Sequence, residues 1–463
     1  MKKIVCIISF FLVSKTIFGQ QITGSWVGQL EIQGTKLPLI FNITQEATTF
    51  MTTFDSPAQG AIAIPIAQTT FVNNELILDA KNLGILYKAT FANDQFTGTF
   101  AQGQMLLPLV LKRKTTADVG PKRPQTPQAP FNYSIEDVVI ANQVDKNTLA
   151  GTLTTPRGKK EFPVVILITG SGQQNRDEEL FYHKPFWVIA DDFAKKGIGV
   201  LRLDDRGIGG SSLGSADDTS ANFATDINAA VAYLDSKGFK KIGLIGHSEG
   251  AMIAPMVAAA NKKVAFIISM AGPGIATDQL LVLQAAALAK ANGASTEEIK
   301  TNAELSQKIY EKIDHFSGLE LQKELKILLT EAVKKLPKNQ LPPEDKIEQL
   351  VESQIKQLSS AWFVYFIKLN PAAYWRQLKI PVLALNGSLD LQVTPQENLA
   401  GIKASLQKAK NNDFEILELP NLNHLFQEAK TGSVQEYKDL EQTISPKVLD
   451  TMSTWILKRY VSF

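Results

Sequence analysis

Hydrophobic and polar positions change texture along the chain. From Gln21 to about Lys114, short runs of Val, Ile, Thr and Phe alternate with turn residues. Leu37-Pro-Leu-Ile-Phe-Asn-Ile43, Leu76-Ile-Leu78 and Gln95-Phe-Thr-Gly-Thr-Phe100 are strand-like, and Ser56-Pro57, Asn73-Asn74 and Asn93-Asp94 are the turn signals that separate such runs. This predicts a small antiparallel β domain over 20–114. Pro121, Pro124, Pro127 and Pro130 then stand among polar residues. That spacing favours extended, unpaired backbone, so 115–130 is expected to be an interdomain linker.

After the prolines the pattern lengthens. Ser134 to Ala141, Thr148 to Thr154 and the wholly apolar Val164-Val-Ile-Leu-Ile168 predict strands; Lys184 to Lys196 predicts a helix with Phe186, Ile189, Ala190 and Phe193 on one side. Strand Gly199 to Leu203, helix Asn222 to Lys237, strand Ile242 to Ile245 and strand Val264 to Met270 follow. Alternation of this kind predicts an α/β fold, a doubly wound, mostly parallel sheet, over 131–275. It breaks over 276–375, where the text is helical, with capping boxes at Ser295-Thr-Glu-Glu298 and Ser317-Gly-Leu-Glu320 and a breaker at Pro342-Pro343. We read this as a helical cap inserted over the sheet. Its aromatic cluster, Trp362, Phe363, Tyr365 and Phe366, either walls a substrate pocket or packs between helices. Strands at Pro381 to Leu385 and Phe414 to Leu419, a helix from Gln396 to Ala409 and a last helix from Pro446 complete the sheet over 376–463.

Composition narrows the class. The 463 residues are 44% hydrophobic and 20% charged with a formal net charge of +2, the profile of a globular protein with no basic run suited to nucleic acid. Lys2 and Lys3, the apolar run Ile4 to Val13 and the small residue Gly19 together predict a signal peptide over 1–19 and an exported protein, periplasmic or secreted. The run is too short to span a bilayer, so a retained anchor is the weaker alternative and no integral membrane segment is expected after cleavage. Cys6, the only cysteine, lies inside it. The mature chain is therefore expected to lack disulfides and thiol chemistry.

The chemistry starts at Gly246-His247-Ser248-Glu249-Gly250, a G-x-S-x-G pentapeptide between an apolar strand and an Ala- and Met-rich helix. Such a pentapeptide arises by chance in a chain this long with odds on the order of 0.1 to 0.2. The flanks, a strand before it and a helix after it, decide in its favour, and its two glycines remove the Cβ atoms that would block so sharp a turn and leave the Ser248 hydroxyl projecting. A serine hydroxyl needs a base. Of the four histidines, His247 adjoins Ser248 but is expected to be directed elsewhere by the turn, His183 precedes a distant helix, and His315 lies in the helical insertion. His424, in the loop after the last strand, shares the carboxyl edge of the sheet with Ser248 and is the expected base. Asp390, after strand Pro381 to Leu385, is the expected acid. No His, Asp or Glu cluster has metal-ligand spacing, and no G-x-G-x-x-G follows a strand, so no cofactor is expected.

The order Ser248, Asp390, His424 carries a resemblance. Together with Thr169-Gly-Ser-Gly-Gln173, Asp204-Asp-Arg-Gly-Ile-Gly-Gly-Ser211, the pentapeptide and Asn386-Gly-Ser-Leu-Asp390, it makes the chain from about Ser134 onward resemble the α/β-hydrolase superfamily. Within it the chain looks like the secreted bacterial branch with dienelactone-hydrolase-like or acyl-peptidase-like cores. The resemblance implies Ser248 as nucleophile, His424 as general base and then acid, and Asp390 as orienting acid. It also implies an oxyanion hole from the N–H of Glu249 and one N–H of the Gly170 to Gln173 loop, either Ser171 or Gly172. Thr169 stands where the commoner H-G-x-G loop has His. Asp204, Asp205 and Arg206 are expected to lock the loop after the fourth strand, and Arg176 and Asp177 to do likewise or to touch the substrate.

The function expected on this basis is a serine hydrolase that cleaves small carboxylic esters through an acyl-enzyme. The alternatives are a peptidase or amidase acting on short peptides, and a non-catalytic binding protein that kept the fold. Roughly ninety residues of β text are too few for the propeller that large oligopeptidases carry. Gly24-Ser25-Trp26-Val27-Gly28 resembles the opening strand of lipocalin-like barrels, and the N-terminal domain is read as an appendage or a binding module.

Overall fold

The computed structural model describes residues 22–32, 35–57, 61–80, 84–102, 105–115, 122–336 and 341–460. The expected signal peptide lies outside them. Two compact units are present: Met1–Ser56 with Ala63–Val119, and Pro57–Ile62 with Gly120–Phe463. Among the described residues no helix is long and apolar enough to cross a membrane.

The first unit is an antiparallel sheet of strands β1 (Gly24–Ile32), β2 (Thr35–Glu46), β3 (Thr49–Ser56), β4 (Ala61–Ile66), β5 (Gln68–Val72), β6 (Glu75–Ala80), β7 (Ile85–Ala92), β8 (Gln95–Gln102) and β9 (Met105–Arg113). Their order is β4-β3-β2-β1-β9-β8-β7-β6-β5. Period-two alternation explains it: Ile85, Tyr87, Ala89 and Phe91 of β7 all point inward while their neighbours face out. The inward faces meet around the fully buried Trp26, whose indole N–H donates to the Ile22 carbonyl at 2.8 Å, with Phe96 at 4.6 Å between ring centres. Thr69 of β5 donates to Thr52 of β3 at 2.9 Å, so the sheet curls back on itself.

The second unit is built on β10 (Tyr133–Asn142), β11 (Asn147–Pro156), β12 (Val164–Ile168), β13 (Gly199–Leu203), β14 (Ile242–His247), β15 (Val264–Met270), β16 (Val382–Gly387) and β17 (Phe414–Leu419). The order is β10-β11-β13-β12-β14-β15-β16-β17; β10 and β11 run antiparallel and the rest are mutually parallel. Every residue of β12, β13 and β14 is buried, as strands covered on both faces must be. One face packs against α1 (Pro185–Lys196) and, from the far end of the chain, Val448 to Ile456 of the last helix. The other packs against α2 (Ser220–Ser236) and α3 (Glu249–Ala260), with Ile402 and Leu406 of the helix that follows β16. The expected doubly wound sheet is thus the observed one.

The insertion after β15 forms α4 (Thr277–Ala291), α5 (Thr296–His315), α6 (Gly318–Lys334), α7 (Glu344–Leu358), α8 (Ala361–Ile367) and α9 (Ala372–Trp375), and the sheet resumes with α10 (Pro395–Lys408) and α11 (Pro446–Tyr460). Leu321, Leu325, Leu329 and Val333, spaced by four along α6, join Ile309, Ile313, Val351 and Ile355 in a core of the insertion's own. The capping box at Ser295 is complete; at α6 the Ser317 side chain makes no cap bond, so the second expected box is not formed. Within the Pro-rich stretch, Arg123 donates to the carbonyls of Phe181, Lys438 and Leu440, and Gln125 to that of Ile444. Residues 122–125 are therefore held against the second unit and not left free.

Candidate active site

Ser248 lies between β14 and α3 with φ +54° and ψ −117°, a conformation L-residues occupy at a cost of about 1–3 kcal/mol. Its neighbours make the turn possible. A Cβ on Gly246 would sit 2.1 Å from the Gly250 carbonyl oxygen, and one on Gly250 would sit 2.1 Å from that of Ile168, so neither position accepts a side chain. Backbone bonds fix the turn further: the Ser248 N–H donates to Met270 at 2.9 Å, and its carbonyl accepts from Ala251 at 3.0 Å.

Strand register brings the other loops to it. Ile168 of β12 is paired with Gly246 of β14, so the loop that leaves β12 starts beside the turn, and the Cβ position of Gly170 is 3.3 Å from that of Ser248. That crevice, beyond the carboxyl ends of β12 and β14, is where the chain switches direction across the sheet. β16 and β17 deliver Asp390 and His424 to the same edge.

The His424 Nδ1 is 2.8 Å from Asp390 Oδ2, and both side chains are almost fully buried. Asp390 Oδ1 accepts the N–H of Gln392 at 2.8 Å and of Val393 at 2.9 Å, which fixes the carboxylate plane. A proton on Nδ1 leaves the His424 Nε2 lone pair free to accept another. Ser248 and His424 line one cavity of about 560 Å³, together with Ser171, Gly172 and Glu249. All six sequence-derived site residues thus converge on this edge, five on the cavity and Asp390 behind His424.

Their surroundings differ from expectation in several places. Glu249 contributes more than a backbone N–H. Its carboxylate is buried, accepts Ser220 Oγ at 2.6 Å and the Trp362 indole N–H at 3.0 Å, and burial pushes its pKa up against these bonds. Trp362 comes from α8, so the insertion is bonded to the residue after Ser248. Trp362, Phe363 and Phe366 wall the cavity, whereas Tyr365 packs with the sheet core. The loop after β13 is locked by carboxylate–guanidinium pairs as expected, Arg176 and Asp177 among them. Asp204 is held by Arg176 at 2.7 Å, Arg202 pairs with Asp177, and Arg206 reaches Asp226 at 2.6 Å and Asp218 at 2.9 Å. Asp205 instead accepts the Thr169 hydroxyl at 2.9 Å and the Gln174 N–H at 2.9 Å, anchoring the loop after β12.

Neither ring nitrogen of His247 bonds to Ser248, in keeping with a base elsewhere, but the ring lines the cavity with its centre 4.8 Å from that of His424. Nδ1 is 2.9 Å from Glu178 Oε1 and Nε2 is 3.0 Å from the His424 carbonyl oxygen. A carbonyl only accepts, so Nε2 donates to it, and the carboxylate accepts the Nδ1 N–H; with both nitrogens donating, the ring is an imidazolium. Burial alone would lower its pKa, but the charge and hydrogen bond of Glu178 prevail and raise it. His183, by contrast, is buried with Nε2 3.0 Å from the Tyr437 carbonyl and Nδ1 2.9 Å from the Thr443 hydroxyl, and burial brings its pKa down to about 4. His315 is exposed in the insertion.

Residues 163–424 match the family described as the alpha/beta hydrolase fold, over half of the 463-residue chain, and the chain belongs to that family. It is 26% identical over 340 residues to Esterase EstD of Thermotoga maritima, covering 71% of this chain and 69% of that one. A shorter match, 30% over 145 residues, relates it to protein phosphatase methylesterase 1 of Mus musculus, covering 31% of this chain and 35% of the other. Among solved structures, the Pyrococcus furiosus esterase Pf2001 aligns with 17% identity and a TM-score of 0.40, over 71% of this chain and 94% of that one.

Proposed function

We propose that the chain is a serine carboxylesterase. The observation that carries this reading is the pairing of Asp390 with His424 on the cavity that the strained Ser248 also lines. The similarity to an esterase supports an ester over an amide as substrate. In the proposed reaction, Ser248 Oγ attacks the ester carbonyl carbon while His424 Nε2 takes the hydroxyl proton. The negative oxygen of the tetrahedral intermediate accepts the N–H of Glu249, which at the first position of α3 has no carbonyl of that helix behind it. The second donor comes from Ser171 or Gly172, because the Gly170 N–H is committed to Glu178 at 2.8 Å.

Collapse expels the alcohol, which leaves with the proton from His424 and gives an acyl-Ser248 ester. Water then attacks the acyl carbon, giving its proton to His424, which returns it to Ser248 as the carboxylic acid departs. We further propose that the chain is exported by its N-terminal segment, which a mature N-terminus near residue 20 in the periplasmic fraction tests.

The test is steady-state turnover of short- and long-chain p-nitrophenyl esters beside aminoacyl p-nitroanilides, with wild type and Ser248→Ala. Ester turnover that falls at least a thousandfold in the variant is expected. Turnover of anilides alone would replace the esterase reading with a peptidase, and turnover unchanged by the substitution would overturn the nucleophile.

A further inference from the structure

We propose that His247 and Glu178 form a second buried histidine–carboxylate pair that positions the His424 loop and the 170–172 loop about Ser248. The inference rests on the esterase reading above. Three loops must be held in register for that reaction, those after β12, β14 and β17, and none of them is a strand that another can pair with. His247 is covalently next to Ser248 and reaches both of the others: its Nε2 donates to the backbone carbonyl of His424 at 3.0 Å, and its Nδ1 meets Glu178 Oε1 at 2.9 Å. The same Oε1 accepts the Gly170 N–H at 2.8 Å, so one carboxylate oxygen joins the imidazolium to the loop that carries Ser171 and Gly172. Both side chains of the pair are about 7% exposed, which keeps the contacts out of competition with water.

The charged and titratable groups facing His247 are Glu178, the His424 ring at 4.8 Å between centres, and Asp390 beyond it; Phe426 closes the remaining side at 6.5 Å. His247 and Glu178 are positioning residues: neither is assigned a bond to the substrate, and both act through groups that are.

The test uses the full chain with p-nitrophenyl acetate, and near-ultraviolet circular dichroism to measure the folded fraction. His247→Phe is expected to lower kcat by ten- to a hundredfold with KM within about threefold, the loss typical of a displacement near 1 Å. His247→Gln keeps a donor for the His424 carbonyl but no charge. It is expected to recover most of kcat, a rescue that a loss of packing alone would not show. Combining Glu178→Gln with His247→Phe should cost little more than His247→Phe alone, because the pair acts as a unit. A folded His247→Phe protein with kcat within twofold of wild type overturns the proposal. If that variant does not fold, Glu178→Gln with kcat within twofold of wild type overturns it instead. Failure of the esterase reading shows separately, as turnover that survives Ser248→Ala in the same assay.

Discussion

Asp390→Asn isolates the electrostatic part of the site from its shape. The carboxylate has two jobs: Oδ1 accepts the N–H groups of Gln392 and Val393, and Oδ2 accepts the N–H of His424 Nδ1. An asparagine that leaves its oxygen with the two N–H donors places its own NH2 where Oδ2 was, 2.8 Å from Nδ1. Two donors cannot share that contact, so His424 must accept at Nδ1 and carry its proton on Nε2, where it can no longer take one from Ser248. Flipping the amide restores the tautomer but aims the NH2 at the two backbone donors, at a cost of about 1–3 kcal/mol for each buried group left unsatisfied. The harmful orientation is therefore the stable one. The expected result is a fall in kcat of about 10³- to 10⁴-fold, the scale of wrong-tautomer loss in serine hydrolases, with stability lowered by only about 1 kcal/mol. Turnover of p-nitrophenyl acetate against urea unfolding separates the two. An Asp390→Asn protein within tenfold of wild-type kcat would refute the assigned role of Asp390.

Further substitutions probe the scaffold. Gly250→Ala puts a Cβ 2.1 Å from the Ile168 carbonyl oxygen and 2.6 Å from that of Thr169, both backbone; despite the better helix propensity, a loss of about 1–3 kcal/mol in urea unfolding and at least tenfold in kcat is expected, because the strand end that must yield carries the 170–172 loop. Arg206→Met leaves Asp145, Asp218 and Asp226 facing one another without their cation, and a loss of about 3–5 kcal/mol is expected by the same measurement. His183 links stability to pH. Its pKa falls from 6.5 to about 4 on folding, so the unfolded chain binds the extra proton, and stability is full above the unfolded value and declines as pH drops towards 4. That decline should reach about 3 kcal/mol and be absent from His183→Gln, as followed by unfolding midpoints between pH 7 and 4.

The parts of this fold that are legible in the sequence are those fixed by local pattern. Wholly apolar runs such as Val164 to Ile168 identify strands covered on both faces, and Gly246 and Gly250 announce the turn because no other residue fits beside the backbone oxygens that approach them. Asp390 and His424 follow from strand order once the other histidines are set aside, since parallel strands place their trailing loops on one edge. The unread features depend on contacts between distant segments. Glu178 and His247 are 69 positions apart, and nothing local marks either as the other's partner. The partners of Arg206, namely Asp145, Asp218 and Asp226, arrive from other stretches of the chain, and the motif around Arg206 does not name them. Likewise, Ser317 has the spacing of a capping box, but spacing does not fix the rotamer that would close it.

The central claim is that Ser248 is the nucleophile activated by His424. Labelling of the intact chain with a fluorophosphonate, read by peptide mass spectrometry, tests it most directly. The account predicts one adduct per chain, on the peptide that contains Ser248, absent from Ser248→Ala and slowed at least a hundredfold in His424→Ala. An adduct on another residue, or labelling that proceeds unchanged in either variant, would contradict it.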